Sequence, residues 1–430
     1  MLVALILTIL AGSDPSAARD VRAALAADGR VPEQAETIAE ILVHGNHVSP
    51  DEEVLRLAGV TVGMPVTPTT IADIKKRLED AHKFDDVTVS KRYGSITDLS
   101  KIVIVIVVNE GPVKIKVPDA PDAPLQVVKR GTFANLMFMP ILNGEDGYAF
   151  TYGARVAYVG MVGERSRVSF PLTWGGTRKA GAEFERIFDK GPIGRIEIGT
   201  AIQQRRNPAF ELPDQRRRVW ARVERSIGPL RTGATGGWQR VLFGSIDDHI
   251  KSFGVDAAFD TRLDPLLPRN AVFVTGSWER LRFDAGDRTN RTRVDARGYL
   301  GLIRQTILVG RVVREDANRP LPPYLKSLLG GWSSLRGFKA GSFVGDTMVN
   351  GSLELRVPLS SPLSVGKLGV SVFIDKGTAY DKGERYRDQT LRTGIGAGAW
   401  VTLAAFQLGV AVAHGRGADT RFTFAGGLTF

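Results

Sequence analysis

From Gly147 onward the chain is written in runs of about 8 to 13 residues in which apolar and polar side chains alternate, each run closed by Gly, Pro, Asn or Asp. Successive side chains of a strand point to opposite faces, so a period of two gives each run one apolar and one polar face. Three runs show it most clearly. Phe422, Phe424, Gly426, Leu428 and Phe430 share one face, with Arg421, Thr423, Ala425, Gly427 and Thr429 on the other. Val349, Gly351, Leu353, Leu355, Val357 and Leu359 oppose Asn350, Ser352, Glu354 and Arg356, and Val370, Val372 and Ile374 oppose Ser371, Phe373 and Asp375. Runs of this kind start near residues 148, 165, 178, 195, 217, 231, 251, 270, 291, 306, 347, 368, 391, 405 and 420, and Thr132–Met139 adds one more. The expectation is sixteen strands, an even number as single-chain bacterial barrels have.

The first third of the chain is patterned differently. Ile38–Val43 predicts a short strand and His44-Gly45-Asn46-His47 a turn. Ser49-Pro50-Asp51-Glu52 has the form of a helix start, with a capping serine, proline at the first helical position and acids beside the positive end of the helix dipole. That helix runs to about Ala58 and stops at Gly59; Thr69 or Thr70 caps a second, in which Ile71, Ile74, Leu78 and Ala81 share a face. Asp86–Tyr93 and Lys101–Asn109 predict two strands around a turn at Gly94-Ser95. The order is β-α-α-β-β. Residues 19–35 form a polar, Ala-rich lead-in, and Met1–Leu10 is an apolar run followed by Ala11-Gly12-Ser13 and Ser16-Ala17-Ala18. Ten residues are too few to span a bilayer as a helix, whereas a secretory signal is that short and ends in small residues, so residues 1–18 read as a signal peptide.

Charge and composition narrow the function. No run of 18 or more apolar residues occurs, so a membrane can be crossed only by a closed barrel, in which every backbone amide has a partner. The formal net charge is +11. The basic residues are interleaved with acids, as in Arg222-Val223-Glu224-Arg225 and Trp278-Glu279-Arg280, which fits a water-filled lumen or lipopolysaccharide-facing loops better than a nucleic-acid footprint. There is no cysteine, and His44 with His47 are two ligands where zinc wants three or four, so no metal and no cofactor are expected. Gly394, Gly396 and Gly398 stand at period two without a following helix, which marks a close backbone approach or a bend, not a nucleotide loop. No Gly-x-Ser-x-Gly occurs and no catalytic grouping can be nominated, so the chain is not expected to be an enzyme. A soluble sandwich or propeller is the rival architecture, but there is no blade-length repeat.

Three ordered motifs carry a resemblance. The longest connection, Ala317–Asp346, contains Gly330-Gly331-Trp332-Ser333-Ser334-Leu335-Arg336-Gly337-Phe338. Two strands later comes Phe373-Ile374-Asp375-Lys376-Gly377, and the chain ends on Phe422, Phe424, Gly427, Leu428 and Phe430. These resemble, in order, the inward-folded loop, the Phe-x-Asp-x-Gly wall motif and the terminal strand of the superfamily that assembles or exports proteins at bacterial outer membranes. Its members include the central barrel of the barrel-assembly machinery and the two-partner secretion transporters. The N-terminal segment resembles a POTRA domain through Val43-His44-Gly45-Asn46, Phe84-Asp85-Asp86-Val87 and Asn109-Glu110-Gly111-Pro112.

The resemblance implies a mainly β protein: a 16-stranded antiparallel transmembrane β-barrel over residues 132–430, a linker at 118–131, and one α+β POTRA-like domain at 36–117 in the periplasm. It implies an ion pair from Arg336, in the loop motif Leu335-Arg336-Gly337-Phe338, to Asp375 in the wall motif Phe373, Asp375, Gly377, with Glu354 a candidate second partner. Loss of either Arg336 or Asp375 is expected to impair function, and exchange of the pair to restore part of it. The implied role is insertion or assembly of outer-membrane proteins, the POTRA-like domain receiving an extended client on a free sheet edge. The alternatives are export of a dedicated passenger and a non-transporting anchor. Expected partners are outer-membrane lipid and lipopolysaccharide, unfolded client proteins and periplasmic factors; nucleic acid is not among them.

Overall fold

A computed structural model describes residues 36–428, except His47, Asp85, residues 96–97, 111–112, 117–125 and 130–135, Glu164, Asp189, Leu266, and residues 361–365 and 404–405. The signal-peptide and lead-in readings, Phe430 and part of the 118–131 linker lie outside these residues.

The N-terminal domain runs β1 (Thr37–His44), α1 (Asp51–Ala58), α2 (Thr70–Asp80), β2 (Asp86–Tyr93) and β3 (Lys101–Asn109). Its sheet has the order β1-β3-β2, with β1 parallel and β2 antiparallel to β3. The near-continuous apolar run Ile102–Val108 belongs in the centre, where a strand is covered on both faces. Ile102, Ile104 and Ile106 pack with Val54 and Ala58 of α1 and Ile71, Ile74 and Leu78 of α2. The backbone of residues 63–66 bonds along the start of β1, through Ile38 N–H to the Met64 carbonyl and Gly63 N–H to the Ile38 carbonyl. Among the described residues, β2 is therefore the open edge of the sheet, as far as Arg92 and Tyr93, which meet the barrel.

The first helix departs from its expected cap. It begins at Asp51, Pro50 takes the N-cap position, and no side chain caps it. The turn before it is held from elsewhere: the buried Glu110 carboxylate, at the end of β3, accepts the backbone N–H groups of Val48 and Ser49, the latter at 2.8 Å. A carboxylate 61 residues away replaces the local serine, which a reading limited to neighbouring positions could not find. Gly59 ends the helix at φ 63°, the left-handed conformation that favours glycine.

A short antiparallel hairpin, β4 (Val113–Lys116) and β5 (Gln126–Lys129), precedes the barrel. The barrel then closes from sixteen strands. They are β6 (Leu136–Glu145), β7 (Ala149–Val159), β8 (Ser166–Gly175), β9 (Thr177–Ile187), β10 (Arg195–Arg206), β11 (Pro213–Ile227), β12 (Leu230–Phe243), β13 (Ile246–Asp260), β14 (Ala271–Phe283), β15 (Arg288–Gly301) and β16 (Ile307–Ala317), followed, after a loop bearing β17 (Ser327–Leu329) and β18 (Phe343–Gly345), by β19 (Thr347–Ser360), β20 (Lys367–Tyr380), β21 (Arg392–Leu403), β22 (Phe406–Gly415) and β23 (Thr420–Leu428). The first of these differs from the expected Thr132–Met139. It extends to Glu145, because pairing with β7 continues through Gly144 to the turn at 146–148, and the Phe150 and Phe424 rings cover the space a side chain at Gly144 would take.

Val370, Val372, Ile395, Val412 and Phe422 are exposed on the outer face, whereas Ser371, Phe373 and Asp375 are buried within. The N-terminal domain docks on one end of the barrel. Arg92 of β2 pairs with Asp264 in the β13–β14 turn at 3.0 Å, and the Tyr93 carbonyl accepts from Gln305 at 3.3 Å and Lys367 at 3.2 Å. The long β16–β19 loop therefore enters from the opposite end.

Candidate functional site

The loop between β16 and β19 turns into the lumen and seats against the inner wall. Arg336 is 7% exposed and Asp375 1%. The guanidinium grips Asp375 with two parallel bonds, Nε to Oδ2 at 2.8 Å and Nη2 to Oδ1 at 2.8 Å, while the Arg336 backbone N–H gives Oδ2 a third at 3.0 Å. Nη1 donates to Glu354 at 2.7 Å and Nη2 also to Ser352 at 3.1 Å. Below lies the Phe373 ring, its centroid 3.4 Å from the guanidinium carbon. Alternation along β19 and β20 puts Ser352, Glu354, Phe373 and Asp375 on the inner face, and the register sets Ser352 opposite Asp375 and Glu354 opposite Phe373. Arginine alone has the planar fork that satisfies two carboxylates and a ring face together.

The rest of the loop motif shapes the seat. Leu335 is fully buried in a cluster with Val313, Leu329, Phe338 and Met348. Gly337 has φ 94°, and a side chain there would meet the Gly415 nitrogen at 2.7 Å. On the wall, a Cβ on Gly394 would stand 1.8 Å from the Arg336 carbonyl oxygen. Gly394 thus marks a close backbone approach. Gly377, the last residue of the wall motif, leaves space in which the Leu329 side chain lies 3.1 Å from where its Cβ would be.

Sequence reasoning did not find several further contacts of the loop. Arg311 of β16 donates to the Ser333 carbonyl at 2.7 Å and is held by Asp295, which also binds Arg297. Asn350 donates to the Ser334 carbonyl at 2.6 Å, and the Trp332 ring fills the space beside Gly409. Across the lumen, Tyr324 donates to Asp248 at 2.5 Å and packs with Val241, Phe243 and Leu281, and Lys339 pairs with Glu211 at 3.1 Å. These partners are far apart in sequence, and pattern along one strand carries no signal for them. The loop is thereby fastened to both sides of the wall and crosses the mouth between them.

The terminal strand is attached differently on its two sides. Between β22 and β23 nine residue pairs are in register, from Phe406↔Leu428 to His414↔Thr420; between β23 and β6 the described pairs are Ala425↔Glu145, Gly426↔Gly144 and Gly427↔Asn143. Phe422 and Phe424 lie on the lipid side, and Leu136–Leu142 of β6 have no described partner on β23.

A closed barrel with a lumenal Arg–Asp loop latch and one small α+β domain at its mouth has the build of an outer-membrane β-barrel protein. The Omp85 superfamily domain matches residues 149–430 and the POTRA family, described as a surface antigen variable number repeat, matches residues 36–111, so the chain belongs to the Omp85 superfamily, with its barrel in the outer membrane and its POTRA domain in the periplasm. Its fold is similar to BamA from Haemophilus ducreyi lacking POTRA domains 1–3, at TM-score 0.62 and 15% identity over 92% of this chain and 85% of that one. It is similar also to CdiB from Escherichia coli, at TM-score 0.51 and 14% identity over 94% and 92%. No curated protein matches at the sequence level. The end carrying the POTRA domain is therefore periplasmic, and the Arg336 loop enters from the cell surface.

Proposed function

We propose that this protein assists the insertion and assembly of outer-membrane proteins, taking an extended client at its POTRA domain and passing it into the membrane at the β6–β23 seam. The short seam is the observation that carries this reading. Among the described residues, opening it breaks three register pairs and the Asp146 N–H bond to the Phe424 carbonyl, whereas parting β19 from β20 would break pairing along thirteen. The edge exposed on β6 is the kind of surface to which an incoming strand adds by backbone hydrogen bonds. Exposed Leu136 and Phe138 present it to lipid. On the periplasmic side, the open β2 edge offers the same chemistry to a client that is still unfolded.

In this reading the Arg336–Asp375–Glu354 latch is a positioning device. It holds the loop against β19–β22 while the seam opens. No covalent bond is made or broken, so the activity is not enzymatic. Partners are the bilayer, unfolded clients and the periplasmic factors that deliver them.

Export of a dedicated passenger is the competing reading, favoured by the charged, ion-paired lumen wall, as at Arg222–Asp256 and Arg297–Asp295. Export through the lumen would require the loop to leave its seat, against ties on both sides. Depletion followed by quantitative outer-membrane proteomics separates the two. Loss of many barrels supports assembly; loss of one secreted protein with the other barrels intact defeats it.

A further inference from the structure

The outer wall carries a constellation that the client pathway does not use. Along the chain its basic residues are dispersed among acids, but the strand register gathers them. Arg217 of β11 is opposite Arg240 of β12, and Lys251 of β13 is opposite Arg282 of β14, which is itself opposite Arg288 of β15. All five are on the outward face, in phase with exposed Val219, Phe253 and Val255. Like charges directly opposite on neighbouring strands destabilise a sheet. One of them is paired with an acid, Arg240 with Asp247 at 2.8 Å, and beside it His249, opposite Arg240, pairs with Asp284 at 3.0 Å. Among the described residues, Arg217, Lys251, Arg282, Arg288 and the neighbouring outward Arg280 have no carboxylate partner, whereas lumenal Arg222, Arg297, Arg311 and Arg336 are all paired.

The belt has a fixed height. The residue two positions nearer the periplasm on the same face is Val219 after Arg217, Trp238 after Arg240, Phe253 after Lys251 and Trp278 after Arg280. These cations, of which Arg240 alone has a carboxylate partner among the described residues, thus stand directly above the aromatic and apolar band, at the headgroup level of the outer leaflet. The belt also has a fixed bearing. Counting from β6, β13 and β14 are the eighth and ninth of sixteen strands, diametrically opposite the β6–β23 seam. Around the seam, at the same end, the outward residues Phe150, Tyr152, Ile395, Val412 and Phe422 are uncharged.

We propose that the outward belt of Arg217, Arg240, Lys251, Arg280, Arg282 and Arg288 is a binding site for the phosphorylated sugar headgroup of an outer-leaflet glycolipid. Guanidinium groups bind phosphate oxygens bidentately, and two phosphates on one headgroup match a row of cations spaced at the inter-strand distance of about 5 Å. The acyl chains then lie along Phe253, Val255, Trp278 and Val219. A strand-to-strand repulsion becomes a bridge. The site depends on the outer-membrane location and not on the assembly reading: it would anchor the back wall and leave the seam facing unoccupied lipid whichever client is handled.

The test uses the purified full chain in detergent, titrated with diphosphoryl lipid A and read by native mass spectrometry. A triple variant, Lys251→Gln with Arg282→Gln and Arg288→Gln, is expected to bind about tenfold more weakly, with its barrel still folded by heat-shifted electrophoretic mobility. A double variant, Arg217→Gln with Arg280→Gln, reads the same site should the triple not fold, and is expected to bind about threefold more weakly. The lumenal variant Arg218→Gln is expected to bind as the wild type does. Lipid A stripped of phosphate is expected to bind the wild type no better than the intact lipid binds the triple. Equal affinity of wild type and belt variants overturns the proposal. So does full competition by millimolar inorganic phosphate, which would make the belt a simple anion site, or equal binding of phosphatidylglycerol, which would make it generic attraction.

Discussion

Truncating Arg336 removes one cation from a seat that holds two carboxylates. Glu354 keeps Arg356 at 2.9 Å and Asp375 keeps the Ser352 hydroxyl at 2.7 Å, but Asp375 loses its only described cation. Leaving a buried charge unpaired costs about 3–5 kcal/mol. Arg336→Ala is therefore expected to release the loop, seen as faster amide exchange across residues 327–345, and to slow client assembly; unchanged exchange would remove the latch from the account. The two-residue exchange expected from sequence to restore function meets an obstacle in the structure. Arg336→Asp would place a carboxylate where Nη1 now binds Glu354 at 2.7 Å. Rescue is expected only when Arg336→Asp and Asp375→Arg are combined with Glu354→Gln. In the POTRA domain, Glu110 holds the turn before α1 through its carboxylate. Burial raises its carboxyl, but hydrogen bonds from Ser49 and Val48, with Lys83 nearby, more than offset that and hold it below its ordinary value. A depressed folded value means that the stabilisation is complete above the unfolded value of about 4.3 and is lost as pH falls through the lower folded one. Amide exchange in α1 should accelerate in that acid window in the wild type. In Glu110→Gln it should already be faster at neutral pH and respond less to acid; identical pH profiles would exclude Glu110 as the cause.

At the scale of the elements, the strands were legible because period-two alternation is local: a run such as Val370–Asp375 reveals both of its faces without knowledge of its neighbours. The β-α-α-β-β order was legible for the same reason, through the apolar face of Ile71, Ile74 and Leu78 and the all-apolar centre of β3. Contacts between elements were less so. The inward phase of Asp375 and Glu354 could be read along their own strands, and pairing Asp375 with Arg336 needed the family resemblance, but the Phe373 stack and the Ser352 bond depend on register across β19–β20. The Gly394 run suggested a close approach without revealing its partner, the Arg336 carbonyl on a loop 58 positions earlier. That seat can be tested. Gly394→Ala places a methyl 1.8 Å from this oxygen, so wall or loop backbone must shift, at a cost of about 1–3 kcal/mol. Gly236→Ala on β12 meets nothing within 4 Å and should change stability by less than about 0.5 kcal/mol. Both are read by unfolding in denaturant and by amide exchange in the loop. Equal behaviour of the two variants would mean that the loop does not need this seat.

For the whole molecule the pairing around the barrel is uneven among the described residues. The loop ties β16 and β19–β22 to the wall across the mouth, and the POTRA domain grips the periplasmic turns after β13 and β15 together with Lys367 at the start of β20. Among the described residues, what remains least restrained is the β6–β23 seam. If clients leave there, fastening it should stop assembly while the rest of the barrel stays as it is. The chain has no cysteine, so an introduced pair is its only thiol chemistry. Ala425→Cys with Glu145→Cys joins register partners across the seam, and Ala258→Cys with Thr275→Cys joins partners across β13–β14 on the far side. Facing residues of an antiparallel pair have Cα atoms about 4.5–5.5 Å apart, within the span of a disulfide. In proteoliposomes, the oxidised seam variant is expected to lose more than about nine-tenths of client assembly, a change of about 1.4 kcal/mol or more in the barrier, and to recover it on reduction. The oxidised β13–β14 variant should assemble clients at the wild-type rate, because that wall does not open in this mechanism. A cross-linked seam that still works would move the client's path into the lumen, where the Arg336 loop would have to unseat, and would favour export over insertion.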